Sequence, residues 1–216
     1  MTGDPYAKSA KWYDSLVEPF VRKLRMIGMD MFPPHEGMSV LDVGCGTGTY
    51  LGIYQKFGCK VFGIDSSPAM LDVAHARLDE YAGLCLGDAS QMIFLDESFD
   101  LILATFVLHE MPAPIRSLVI NEAKRVMRKT GRFLIIDYHS GPIQFPKGWF
   151  YRIVSIFFEV LAGREHFNNY RDFMANRGMP PLIVENEMLI DKQRIISGGT
   201  AGIYLLMLMH LTPNRY

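Results

Sequence analysis

The sequence predicts an α/β fold, a Rossmann-like doubly wound sheet, on three observations. Short β-branched runs alternate with helix-period segments from Met38 to Tyr138. A glycine-rich loop, Gly44-Cys-Gly-Thr-Gly48, follows the first run. An aspartate stands at or near the end of each of the first three runs, at Asp42, Asp65 and Asp88.

Residues before Met38 read as helical and aromatic, with Tyr6, Trp12, Tyr13 and Phe20. Strands are expected at Ser39–Val43, Lys60–Ile64, Gly83–Leu86, Leu101–Phe106 and Phe133–Tyr138. The clearest helix is expected over Ala113–Lys129, with Ile115, Leu118, Val119, Ala123, Val126 and Met127 on its core face. Arg116, Asn121, Lys124, Arg125 and Arg128 fall on its opposite face. Pro112 and Pro114 mark its start and Gly131 its stop. Strands alternating with helices of this length imply a parallel sheet covered on both faces, wound by right-handed crossovers. After Tyr138 come a Pro/Gly-broken loop, the apolar segment Trp149–Leu161 and a polar helical stretch around Asn168–Arg177. Two candidate strands follow, near Leu182–Ile190 and Ile203–His210, with Gly198-Gly199 turning between them.

Composition narrows the function. The 216 residues are 49% hydrophobic, enough for a full core and against disorder. A net charge of -1 argues against a phosphate-binding footprint, so no nucleic-acid partner is expected. Cys45, Cys59 and Cys85 form no C-x-x-C pair, which suits a reducing compartment and supports no metal site. The start is polar, without the apolar run of a signal peptide, and no stretch reads as a spanning helix. A cytoplasmic location is expected.

The spacing of the glycine loop separates two cofactor classes. The dinucleotide fingerprint asks for a third small residue five places after the first glycine, and Thr49 stands there. Asp42 just before the loop would add like charge beside a pyrophosphate. It suits a cofactor carrying an ammonium group and a sulfonium, S-adenosylmethionine. Asp65 can accept from both ribose hydroxyls, and Ser66-Ser67-Pro68 caps the next helix, where Met70 offers an apolar surface to adenine. Asp88, with Ala89 beside it, can accept from the adenine amino group, although a turn-forming aspartate reads the same way.

Together these residues resemble the class I S-adenosylmethionine-dependent methyltransferases. Val40-Leu-Asp-Val-Gly-Cys-Gly-Thr-Gly48 is similar to their first motif, Gly63-Ile-Asp-Ser-Ser-Pro-Ala-Met-Leu71 to the next, and Gly87-Asp-Ala89 to the second. Phe99–Phe106 and Arg125–Phe133 are similar to the later strand and helix motifs. The resemblance implies a seven-stranded sheet whose last strand is antiparallel and slots in beside the fifth. The layout is most similar to the ubiquinone/menaquinone C-methyltransferases and their phospholipid N-methylating relatives, through Tyr13-Asp14, Ala162-Gly163, Tyr170 and Gly198-Gly199. The quinone enzymes carry Arg-Asn after the fourth strand; His109-Glu110 stands here, which puts a quinone substrate in doubt.

The resemblance implies a cofactor site of Tyr13, Asp42, Gly44, Cys45, Gly46, Gly48, Asp65, Ser66, Met70, Asp88, Ala89, Thr105 and Phe106. S-adenosylhomocysteine would be the product. Residues 1–216 would form a single domain: a helical cap at 1–37, a cofactor-binding core at 38–138, a lid and acceptor insertion at 139–180, and C-terminal strands at 181–216. His109 is the candidate catalytic base, with His139 second. Trp149–Leu161 is apolar apart from a narrow stripe of Arg152, Ser155 and Glu159, and is expected to be buried or to line a greasy pocket. The expected partner is a small-molecule acceptor, hydrophobic or amphiphilic. Peripheral membrane contact and a homodimer stay open, and a cofactor-binding regulatory or scaffolding protein without catalysis is the competing reading.

Overall fold

The computed structural model describes residues 4, 6–7 and 10–209, the side chains of Lys11, Tyr13, Leu16 and Val17 excepted. Helix α1 (Ala10–Met31) leads into β1 (Ser39–Val43), α2 (Thr49–Gln55), β2 (Lys60–Asp65), α3 (Pro68–Arg77) and β3 (Gly83–Leu86). Then come β4 (Phe99–Thr105), α4 (Ala113–Val126) and β5 (Met127–Tyr138). Three helices, α5 (Lys147–Ala162), α6 (Arg164–Ala175) and α7 (Met179–Glu185), precede β6 (Met188–Ile196) and β7 (Ala201–Leu208).

The seven strands form one sheet in the order β3-β2-β1-β4-β5-β7-β6. Strands β1 to β5 are parallel, and β7 inserts antiparallel between β5 and β6, pairing Ile136 with Ile203. This is the expected doubly wound sheet with an antiparallel last strand. The chain order reverses at β1, which leaves a crevice at the carboxyl ends of β1 and β4. Alternate side chains feed the two faces. Leu41, Ile102, Phe133, Ile135 and Tyr204 pack with α4, α6 and α7. Val40, Leu101, Leu103, Leu134 and Ile136 pack with α1 and α2.

Several elements differ from the expected ones. Helix α4 ends at Val126, three residues early, because Met127 turns extended and pairs with Phe99. The freed carbonyls of Arg125 and Val126 accept from Glu97 and Ser98. Leu182–Ile190 is not one strand. Pro180 and Pro181 start α7, and Met179, Leu182 and Ile183 bury one helical face before β6 begins at Met188. The last strand runs Ala201–Leu208, and His210 lies outside the described residues.

Two faces also invert. Arg116, expected on the outer face of α4, is buried, and Leu118, expected inside, is 48% exposed. Arg116 donates to the carbonyls of Leu108 (3.1 Å) and Asn169 (2.9 Å) and to Asp172 (2.9 Å), and so ties α4 to α6. Helix α5 turns its apolar side out: Trp149, Phe150, Ile153, Phe157 and Leu161 are exposed while Glu159 is buried. Its amino end is seated by a backbone contact, in which a Cβ on Gly148 would lie 2.3 Å from the carbonyl oxygen of Gly198. Among the described residues no helix is long and apolar enough to cross a membrane.

Candidate active site

The glycine loop is shaped by close backbone approaches. Gly44 has φ +68°, and a Cβ there would sit 2.5 Å from Val107 Cγ2. Gly46, at φ +52°, faces open space and donates its N–H to Asp65 Oδ2 at 2.8 Å. The N–H groups of Gly44 and Cys45 both point to the carbonyl of Ile64, so β2 fixes the turn that β1 feeds. Thr49, the residue that spoke against a dinucleotide, opens α2. It joins Thr47 in donating to Asp14 Oδ1, at 3.1 and 2.7 Å, while Arg77 bonds both threonines and Asp14. That clasp holds α1 to the loop.

A cavity of about 560 Å³ lies over this loop. Asp42, Gly44, Cys45 and Gly46 line its floor, Asp65, Ser66 and Met70 one side, and Asp88 and Ala89 the far end. Thr105 and Phe106 line the side formed by β4. Eleven of the thirteen expected cofactor residues therefore share one cavity. Gly48 does not line it; a Cβ there would sit 3.1 Å from both Ala74 and Leu78, so this glycine serves packing against α3. The Tyr13 side chain falls outside the described residues.

Three polar groups in this cavity await partners or are tuned by their setting. Asp42 is buried, and its Oδ1 has no partner among the described residues. Burial lifts its carboxyl to about 7, Arg25 opposing the rise and Asp65 adding to it. Asp65 receives the N–H of Ser67 on Oδ1 (2.8 Å) and is raised chiefly by burial, the N–H bonds pulling the other way. Thr105 Oγ1 is buried without a partner among the described residues. Asp88 is exposed and accepts from Ser90 N–H at 2.8 Å, so it forms a turn as well as lining the cavity.

A second, smaller cavity of about 170 Å³ adjoins the first, and Tyr6, Phe106 and Glu110 line both. Its other walls come from α1 (Phe20, Leu24), α5 (Tyr151, Phe158, Glu159) and Tyr138. His109 lies here, buried, outside the lining of the larger cavity. Its Nδ1 is 2.7 Å from Asp137 Oδ1 and its Nε2 is 3.1 Å from Glu159 Oε1, an ion contact without hydrogen-bond alignment. Burial pulls its pKa down, but the charges of Asp137 and Glu159 carry it well above the ordinary value. Both ring nitrogens thus face carboxylates, which holds the ring as an imidazolium. His139 lines neither cavity and bonds the Tyr204 hydroxyl at 2.7 Å.

Sequence reasoning missed Tyr6, Arg25, Glu110 and Asp137, and read Glu159 only as part of a polar stripe. That stripe was the usable signal, since a narrow polar line on an apolar helix marks the face whose chemistry differs.

A methyltransferase domain model matches residues 41–135. A methyltransferase of unassigned activity from Synechocystis is 33% identical over 169 residues, covering 77% of this chain and 74% of that protein. The demethylmenaquinone methyltransferase of Clavibacter sepedonicus is 32% identical over 51% of this chain, which spans only about half of that relative's length, 45%. Among solved structures, an S-adenosylmethionine-dependent methyltransferase from Aquifex aeolicus shares the fold, with a TM-score of 0.63 at 20% identity over 93% of this chain and 99% of that one. On the likeness to the Synechocystis relative across most of both chains, together with the matched domain model, the chain belongs to the S-adenosylmethionine-dependent methyltransferase family.

Proposed function

We propose that this chain transfers a methyl group from S-adenosylmethionine to a small hydrophobic or amphiphilic acceptor seated in the second cavity. The observation that carries this reading is the shared wall of Tyr6, Phe106 and Glu110, which sets an apolar cavity directly against the cofactor cleft. A scaffolding protein that only bound the cofactor would have no use for that adjoining space.

When bound, the cofactor supplies an activated methyl group on a sulfonium. Asp65 would accept from the ribose hydroxyls, and Asp42 Oδ1 from the ammonium group. Met70 and Ala89 would flank the adenine, with Asp88 at its amino edge. Phe106 lines both cavities, and Thr105 lines the larger one beside it, where donor and acceptor must align. The aromatic wall from α1 and α5 would keep water from the reacting atoms. His109 acts as a positioning residue, an imidazolium that holds Glu159 and Asp137 in place. The three free cysteines support a reducing, cytoplasmic setting.

The test joins binding to turnover. Calorimetry should show S-adenosylmethionine binding that Asp65→Ala weakens about 100-fold, from the loss of two charge-assisted hydrogen bonds. A screen of lipid, quinone, phenol, thiol and amine acceptors should then release S-adenosylhomocysteine with one class. Unchanged binding by Asp65→Ala would overturn the cofactor placement, and binding without turnover on any class would favour the scaffolding reading.

A further inference from the structure

Glu159 lines the second cavity with only 6% of its surface exposed. Its Oε1 accepts the Tyr138 hydroxyl at 2.9 Å and lies 3.1 Å from His109 Nε2. Its Oε2 is buried with no hydrogen-bond partner among the described residues. Ser155, one turn earlier, spends its hydroxyl on the Tyr151 carbonyl at 2.9 Å and does not serve it. Buried carboxylate oxygens are ordinarily hydrogen-bonded, so a bare one points to a donor that arrives with a ligand.

The charge around this oxygen selects the donor. One imidazolium, His109, faces two carboxylates, Asp137 and Glu159, which leaves the cluster negative. Glu110 adds a further carboxylate where the two cavities meet, receiving the Tyr6 hydroxyl at 3.4 Å and facing His166 Nδ1 at 3.7 Å, so that three carboxylates stand against two histidines. No lysine or arginine lines this cavity among the described residues. Phe20, Tyr151 and Phe158 give it aromatic walls, which attract cations and repel none of an apolar body. An anionic acceptor would meet an excess of like charge and greasy surface, with the one lining cation, His109, already held between two carboxylates.

We propose that the second cavity is the acceptor site for an apolar amine whose nitrogen donates a hydrogen bond to Glu159 Oε2, an assignment that rests on the methyl-transfer reading. An amine entering as its ammonium ion gives one proton to the Glu159 carboxylate, which frees the nitrogen lone pair. That lone pair forms the new N–CH₃ bond as the C–S bonding pair passes to sulfur, and the positive charge moves from sulfur to nitrogen. Water then takes the proton from Glu159. Bond and charge counts balance without a further reactant.

The experiment compares matched probes on the whole chain by calorimetry: benzylamine, benzyl alcohol and benzoate, with and without saturating S-adenosylhomocysteine. The amine should bind at least tenfold more tightly than the alcohol, and benzoate should not bind measurably. Glu159→Gln should bring the amine to the level of the alcohol and leave the affinity for S-adenosylhomocysteine unchanged. Equal binding of amine and alcohol by the wild-type chain, or a preference that survives Glu159→Gln, overturns the proposal. Should Glu159→Gln fail to fold, the wild-type series decides by itself. Failure to bind S-adenosylhomocysteine would sink the methyl-transfer reading, whereas the probe series on cofactor-free protein still reads the amine site.

Discussion

His109 Nδ1 meets Asp137 Oδ1 at 2.7 Å inside a pocket that exposes almost nothing of either residue. Asp137 uses the rest of its capacity on backbone, taking the N–H groups of Leu108 (3.1 Å), His109 (3.3 Å) and Tyr138 (2.7 Å). The pair therefore locks the turn after β4 onto the end of β5, next to the junction of the two cavities.

Removing the imidazolium should accordingly cost stability. His109→Ala would leave Asp137 and Glu159 buried without their cation, a loss of about 3–5 kcal/mol, read by chemical denaturation. The pKa of His109 is raised in the folded chain, so its contribution is full below the unfolded value near 6.5 and fades as pH rises through the folded value. The stability gap between wild type and variant should thus be widest near pH 6 and shrink on the alkaline side. A cost under about 1 kcal/mol at pH 6 would mark a solvated histidine free to act as a base.

Cofactor affinity should follow the ionisation of Asp42. With its carboxyl lifted to about 7, the ionised fraction falls about tenfold from pH 8 to pH 6, and affinity for S-adenosylmethionine should fall with it. Burial sets this titration, with Arg25 opposing the rise and Asp65 adding to it. Stability runs the other way. A raised carboxyl favours the folded chain in acid, and that advantage is lost between about pH 4 and the folded value near 7. Asp42→Asn should bind weakly at every pH and melt several degrees above wild type at pH 8. A flat affinity profile in the wild type would refute this role.

The outward face of α5 should tolerate polar substitution. Ile153 and Phe157 are 64% and 58% exposed, so Ile153→Ser and Phe157→Ser should each shift the melting temperature by no more than about 2 °C. Had the face been packed inside the domain, each would cost roughly 2–5 kcal/mol. Thermal melts of the two variants separate these outcomes.

The cofactor half of the site was legible because it is local. A strand, a tight glycine turn and a strand-end aspartate each leave a mark within a few residues, and β1 and β3 begin and end where their composition says. The acceptor half was not, because it is assembled from afar. Arg116 looks like one more surface cation until α6 supplies the carbonyl and carboxylate that it crosses to meet. Glu159 likewise sits among apolar neighbours that read as core. Hydrophobic periodicity reports which face is greasy, whereas tertiary packing decides which face turns inward. In α5 the interior was claimed by the His109–Asp137 pair, and Glu159 with Ser155 turned toward it while Arg152 stayed exposed.

The contact between Gly148 and Gly198 has a mechanical side. Backbone meets backbone there at a distance that leaves no room for a methyl group, so the amino end of α5 is a fixed pivot. Glu159 rides on the same rigid rod about 16 Å away. Any added bulk at the pivot tilts the rod and moves the carboxylate, widening or narrowing the acceptor cavity without touching one residue of its lining. The width of the second cavity, and with it the range of molecules that it would admit, is therefore set by a lever whose handle is a single hydrogen atom on Gly148.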